Sequence, residues 1–248
     1  MKVPERVHSI RGAKRALGLL LLGATLAAAS AGSPAPGPAY SQSAPAPEYL
    51  MSDRAAEISL ARSAAPAAIS NDATVLVLSS SGYETAVKGT NGFTCLVERA
   101  WMSPFDSPEF WNPKLRGPVC YNPVATRSIL PITRYRTKLA QSGTSKDQMY
   151  DLIRAAMARR ELPALEAGAM SFMMSKNGYL GDAVGHWQSH LMFYVPGTDM
   201  STWGANLPGS PVAVDDEHRR IPEEQVIYLV PVSHWSDGSS APAAHHIP

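Results

Sequence analysis

Residues 83–97 read Y-E-T-A-V-K-G-T-N-G-F-T-C-L-V. Tyr83, Thr85 and Val87 alternate with Glu84, Ala86 and Lys88. Phe93, Cys95 and Val97 alternate with Thr94, Leu96 and Glu98. A period of two places successive side chains on opposite faces of a strand. Between the runs, Gly89-Thr90-Asn91-Gly92 tolerates positive φ, so the pattern predicts a β-hairpin. Cys95 shares its face with Phe93 and Val97 and is expected to point inward.

Upstream, Thr74–Leu78 (T-V-L-V-L) reads as a buried strand. A helix is expected over Glu48–Arg62, with Met51, Ala55 and Ile58 at i, i+4, i+7 and Pro66 ending it. Downstream, residues 102–125 carry Pro104, Pro108, Pro113, Pro118 and Pro123 among Phe105, Phe110 and Trp111. That proline density argues against helix or central strand, leaving a long aromatic loop that either packs over the core or serves function. A helix is expected from about Ile129 to Ser142, with Pro131 in its first turn and Gly143 after it. Ser145 and Gln148 then form a capping box ahead of the stripe Met149, Leu152, Ile153, Ala156, Met157. Arginines on these helices read as solvated faces or an anion site. Residues 170–175, 191–195 and 225–232 read as further strands, the second apolar on both faces and so central. Helices grouped apart from strands indicate an α+β class, an antiparallel sheet with a few packed helices in a single domain.

The ends carry other information. Lys2, Arg6, Arg11, Lys14 and Arg15 precede an apolar run, Ala16–Ala29, which closes on Ala29-Ser30-Ala31. These are the three parts of a secretory signal, with cleavage expected after Ala31. A membrane anchor is the alternative, but the run is short and interrupted by Gly18, Gly23 and Thr25. Residues 32–47 (G-S-P-A-P-G-P-A-Y-S-Q-S-A-P-A-P) read as a Pro/Ala/Ser-rich linker. Residues 48–235 read as the globular domain and 236–248 as a disordered tail. The whole chain of 248 residues has a net charge of +1. Removing 31 residues lowers the basic count from 22 to 17 and the acidic count from 21 to 20, leaving 217 residues near −3. A nucleic-acid binder is thereby disfavoured, and no membrane span is expected after signal cleavage.

Cys95 and Cys120 are the chain's two cysteines. In an exported protein they most simply pair, closing a loop of about 26 residues worth roughly 3.5 kcal/mol in the chain-entropy model. A nucleophilic cysteine is the alternative, which would need a neighbouring base and a thiolate kept reduced.

Three loops carry candidate chemistry. In the connection 176–189, Asp182, His186 and, just beyond it, His190 are spaced by four, which raises a zinc reading. In a helix that spacing is about 6 Å, but in a strand it is about 13 Å, and Gly178, Gly181 and Gly185 argue against helix. H-E-x-x-H is absent, and no other cofactor is expected. The second loop, 202–211, holds Trp203, Asn206 and Ser210, without a G-x-S-x-G elbow. The third, 233–238, holds His234 and Trp235. Trp187, Trp203, Asn206, His234 and Trp235 would line an aromatic pocket for a small molecule, sugar or peptide if the strand ends share one side. Otherwise each tryptophan fills space under its own loop.

The segments N-G-F-T-C-L-V-E-R (91–99), F-W-N-P-K-L-R-G-P-V-C-Y-N-P (110–123), G-H-W-Q-S-H-L-M-F (185–193) and W-G-A-N-L-P-G-S-P (203–211) resemble a group of uncharacterised exported bacterial proteins. The resemblance covers roughly residues 48–240 and implies bacterial origin and export. It implies no activity and transfers no functional residue. The leading expectation is a non-catalytic ligand- or partner-binding domain, periplasmic or extracellular, exported by the general secretory pathway. A hydrolase, metal-assisted or not, using Asp182, His186, His190 or His234 is the alternative, and a structural envelope component is a third.

Overall fold

In the computed structural model, which describes residues 40–181, 185–197, 199–215, 218 and 220–242, the first long helix opens at Asp53 rather than Glu48. The Asp53 carboxylate accepts the N–H groups of Ala55 at 2.8 Å and Ala56 at 3.1 Å. It thereby satisfies donors that a helix start leaves orphaned, and α1 runs Arg54–Arg62. Residues Ala46–Tyr49 form a separate 3-10 turn, after which Leu50 is extended. The expected 48–62 helix is therefore interrupted, because Pro45 and Pro47 favour the short turn and Asp53 is the better cap.

β1 (Thr74–Ser79) follows as expected. The pairing of residues 83–97 does not. β2 (Gly82–Val87) folds back on β1 with Ser79 opposite Gly82. β3 (Thr94–Glu98) lies along the other side of β1 and parallel to it. Residues 89–92 are a crossover tied to the chain just before β1. Thr90 N–H donates to the Asp72 carbonyl at 2.8 Å, and the Asn91 amide donates to the Ile69 carbonyl at 2.8 Å while accepting Phe93 N–H at 3.0 Å. A β-carbon on Gly89 would lie 2.2 Å from the Thr74 nitrogen, so only glycine passes there.

β4 (Gly117–Tyr121), β5 (Met170–Met173), β6 (His190–Pro196) and β7 (Gln225–Pro231) complete a seven-stranded sheet of order β2-β1-β3-β4-β5-β6-β7. Every pairing except β1 with β3 is antiparallel. β4 is an interior strand despite its proline. Along β4, the β5 ladder reaches only Cys120 and Tyr121, so no ladder partner on that side requires the N–H that Pro118 lacks. On the free side of β7, Ala213 and Leu229 exchange two backbone hydrogen bonds at 2.8 Å, which covers part of that edge.

The remaining helices are α2 (Ala67–Ser70), α3 (Pro123–Ser128), α4 (Leu130–Gln141) and α5 (Lys146–Ala158). The Ser145–Gln148 capping box is present, and Gly143 between α4 and α5 has φ +75°. One sheet face, with Leu76, Leu96, Tyr121, Met173 and Tyr194, shares a core with Ile132, Leu139, Met149 and Ile153 of α4 and α5. Phe105, Phe110 and Trp111 are buried in that core, so the aromatic loop packs. The opposite face, with Val75, Cys95, Val97 and Cys120, packs on Ala61, Ala64 and Ala65, small side chains that let α1 approach closely. Cys95 and Cys120 sit directly opposite one another on β3 and β4 and are disulfide-bonded. The result is a single α+β domain.

Two buried ion pairs hold the helices to this frame. Arg99 donates to Glu57 at 2.8 Å and to the Tyr49 carbonyl at 2.7 Å, with both charged side chains almost wholly excluded from solvent. Arg136 grips Glu223 through Nη2 at 2.9 and 2.7 Å and Nε at 3.1 Å. It also donates to the carbonyls of Trp101, Met102 and Ser103. Arg136 is thus neither a solvated face nor an anion site. Residues 1–31, expected as a signal, residues 32–39 of the expected linker and residues 243–248 of the expected tail fall outside the described residues. Residues 40–47 and 236–242 take part in the fold: Ala44 N–H donates to the Tyr49 hydroxyl at 3.1 Å, Ser236 N–H to the Met174 carbonyl at 2.9 Å, and Lys176 pairs with Asp237 at 2.6 Å. Among the described residues, no helix is long and apolar enough to cross a membrane.

Candidate functional site

Register decides which of the three loops meet. His190 starts β6 opposite Pro231 at the end of β7, so the connection 174–189 and the loop 233–238 share that end. Val232 N–H donates to the Ser189 carbonyl at 2.8 Å, and Ser189 Oγ donates to the His234 carbonyl at 2.6 Å. Trp203 lies elsewhere. It stacks on Tyr228 and contacts Phe193, a cross-strand pair three residues along from His190 and Pro231, about 10 Å away.

The sheet faces also differ. His190 and Tyr194 alternate with Leu191 and Phe193 along β6, and Tyr194 belongs to the α4–α5 core. Trp187 packs against that same core and meets His190 edge-on at 5.3 Å. Its indole lies where a side chain on Gly178 would collide with it at 2.9 Å. Trp203 covers the other face. The structure therefore joins the His234 and Trp187 loops and sets the Trp203 loop apart, and among the described residues the three tryptophans do not line one pocket.

The hydrogen-bonding of each candidate is specific. His186 is exposed, with Nδ1 2.8 Å from the Gly178 carbonyl. His234 Nδ1 lies 2.9 Å from Ser233 Oγ. His190 is buried and its Nδ1 contacts the Gln188 carbonyl at 2.6 Å. Among the described residues, no three His, Cys, Asp or Glu side chains gather to hold a metal. Asp182, the remaining member of the zinc reading, lies outside the described residues. Trp235 is half-buried, and its N–H donates to the Ser239 carbonyl at 2.8 Å. The Asn206 side chain is spent within its own loop, donating to the Val214 carbonyl at 2.9 Å and accepting Val214 N–H at 3.1 Å. It shapes the loop, whose backbone at Asn206 has φ +59°.

Residues 199–214 form a ledge over β6 and β7. Trp203 lies flat on Tyr228, with centroids 4.6 Å apart and planes 3° from parallel. Phe193 meets its side at 5.6 Å and 47°. The Tyr228 hydroxyl, 3.2 Å from Thr202 Oγ1, donates to the Asp199 carbonyl at 3.1 Å. Trp203 remains 40% exposed while Tyr228 is fully buried. Beside it, Met200, Ser201, Gly204, Ala205, Asn206, Leu207 and Val214 line a depression of about 260 Å³. Sequence reasoning named Trp203 but missed Tyr228 and Asp199. The period-two run Val226, Tyr228, Val230 was the available signal, since it puts Tyr228 on the face that the loop covers. A second depression, about 710 Å³, lies between residues 41–46, Tyr49, Trp101, Trp111 and the α4–α5 turn. Several of its polar side chains are already engaged: Gln141 donates to Ser79, Ser145 caps α5 and Asp147 pairs with Arg220.

Two buried titratable groups oppose each other. Burial pushes the Glu98 carboxyl up to about 7, against the Tyr121 hydroxyl bonded to it and the Arg136 charge. Burial pushes His190 down to about 4, against its bond to the Gln188 carbonyl. Glu98 contributes stability below pH 4.5 that is lost as pH rises to 7. His190 contributes stability above pH 6.5 that is lost as pH falls to 4. Each is worth about 3 kcal/mol over its full window, so the two slopes nearly cancel between them. Urea midpoints of the wild type are expected to be nearly flat from pH 4.5 to 6.5. Glu98→Gln should leave stability rising with pH, and His190→Gln should leave it falling. Parallel profiles for all three proteins would refute this assignment.

No family model, curated protein or solved structure matches the chain.

Proposed function

We propose that this chain is a non-catalytic binding domain acting outside the cytoplasm, with the 199–214 ledge as its binding surface. Trp203 carries the reading. Among the described residues the exposed large apolar side chains are Leu152, Trp203 and Leu207, and two of the three lie on this one loop. Leaving a tryptophan 40% exposed on a rigid base forgoes burial worth on the order of 1 kcal/mol, which a ligand would recover. At His186, His190 and His234 each Nδ1 faces a carbonyl or a serine hydroxyl rather than the carboxylate that a serine-hydrolase triad sets behind its imidazole, which speaks against that one form of hydrolysis. The Cys95–Cys120 disulfide and the charged, apolar and A-x-A parts of residues 1–31 support export.

Two measurements test the two halves. Protein recovered from the extracytoplasmic fraction is expected to begin at Gly32; recovery from the cytoplasm with residues 1–31 intact overturns export. In a thermal-shift screen of small molecules, sugars and peptides, ligands are expected to raise the Tm of the wild type but not of Trp203→Ala. A ligand that stabilises both proteins equally places the binding surface elsewhere.

A further inference from the structure

We infer that the open face of Trp203 is a stacking platform for a pyranose ring of a neutral glycan. The inference rests on the binding reading above and names its ligand class. An indole has two faces, and one of them lies parallel on Tyr228 at 4.6 Å. Phe193, on the same sheet face as Tyr228, lies against the indole at a tilt of 47°. The 40% of Trp203 that stays exposed therefore belongs to the second face and the outer rim. The support beneath is rigid: Tyr228 is buried and bonded to Asp199, Gly204 turns the chain at φ +62°, and Asn206 clamps it to Val214. Such preorganisation leaves little ordering entropy to lose on binding.

The chemistry of the ledge selects the ligand. The face of an aromatic ring is electron-rich, and a pyranose offers a flat face of weakly positive C–H bonds with hydroxyls around its rim. The rim of the ledge carries Asp199, Ser201 and Thr202. Asp199 is exposed, and the Ser201 hydroxyl and N–H bonded to it at 2.6 and 2.9 Å hold its carboxyl below the usual range. It is a charged acceptor suited to sugar hydroxyls. Residues 199–215 contain no lysine or arginine, which disfavours an anionic sugar. The adjoining depression of about 260 Å³ falls below the ~300–1,000 Å³ typical of enclosing sites. A ring laid on the surface fits it better than a molecule inserted into it. A protein partner would need about 800 Å² on this side, and the loop offers only Trp203 and Leu207 as large apolar anchors.

The test uses the mature chain with cellohexaose, chitohexaose, maltohexaose and mannohexaose, and with decaproline as a non-sugar probe, by isothermal calorimetry. At least one hexasaccharide is expected to bind. Trp203→Ala should weaken it tenfold or more, Trp203→Phe should weaken it less, and Asp199→Asn should weaken it threefold or more. Trp203→Phe keeps an aromatic on Tyr228 and serves as the reading if Trp203→Ala fails to fold. Absence of binding by all four sugars up to about 5 mM overturns the glycan assignment. If decaproline or a screened compound then binds through Trp203, the binding surface stands and only its ligand class falls. A hexasaccharide that binds Trp203→Ala within twofold of the wild type overturns both.

Discussion

Glu57→Gln is expected to lower stability by about 3–5 kcal/mol, the cost of leaving one member of a buried ion pair unpaired. Arg99 is completely buried and Glu57 is 1% exposed, so water cannot replace the lost partner. The glutamine oxygen can still accept from Arg99 and from Leu78 N–H, which now lies 3.1 Å from the carboxylate. What disappears is the negative charge, while the guanidinium stays locked on the Tyr49 and Val97 carbonyls. The converse change, Arg99→Met, strands the carboxylate and should cost a similar amount. Replacing both, as Glu57→Leu with Arg99→Met, should cost less than either single change, because no buried charge remains. Urea unfolding reads the series. With a slope of about 1–3 kcal/mol per molar, the single variants should lose more than 1 M in midpoint. A Glu57→Gln midpoint within experimental scatter of the wild type would show that the pair does not hold α1 to the sheet.

The same pair shows where a linear reading runs out. Glu57 is one helical turn before Ala61, and Arg136 falls at i+4 from Ile132, so both occupy the buried stripe of their helix. A charge on an apolar stripe can mean a weak helix, a functional group or a buried ion pair. Only the partner, 42 residues away for Glu57 and 87 for Arg136, distinguishes these. Local rules fared better where they were self-contained. The Ser145–Gln148 box closes within four residues, and the alternation in Thr94–Glu98 correctly put Cys95 on a buried face. That alternation could not identify a neighbour, so Asn91-Gly92 suggested a hairpin where the chain crosses to the far side of β1. Proline density in 102–125 hid β4, because whether Pro118 costs a ladder bond depends on where β5 stops. The candidate site divides in the same way. Trp203 stood out as a loop aromatic, but Tyr228 beneath it and the separation from Trp187 follow from the register of β6 against β7.

Removing the disulfide, as Cys95→Ala with Cys120→Ala, is expected to cost roughly 3.5 kcal/mol and about 10 °C in Tm. The chain-entropy model counts the freedom restored to the unfolded loop between the two residues, which lie 25 apart. The native state has its own stake: both sulfurs sit in the small core under α1, with Val75, Val97 and the alanines 61, 64 and 65, and two alanines would leave that core underfilled. Against a total stability of about 5–15 kcal/mol, the loss is a large fraction of the whole. Wild-type protein kept reduced should therefore melt above the double variant, because its sulfurs still fill the core, and below oxidised protein, which should melt about 10 °C above the double variant. Intact mass should differ between the two wild-type forms by the two hydrogens lost in bond formation. Two free thiols in protein recovered from outside the cytoplasm would refute the bridge. Equal melting of the reduced and oxidised forms would refute its contribution.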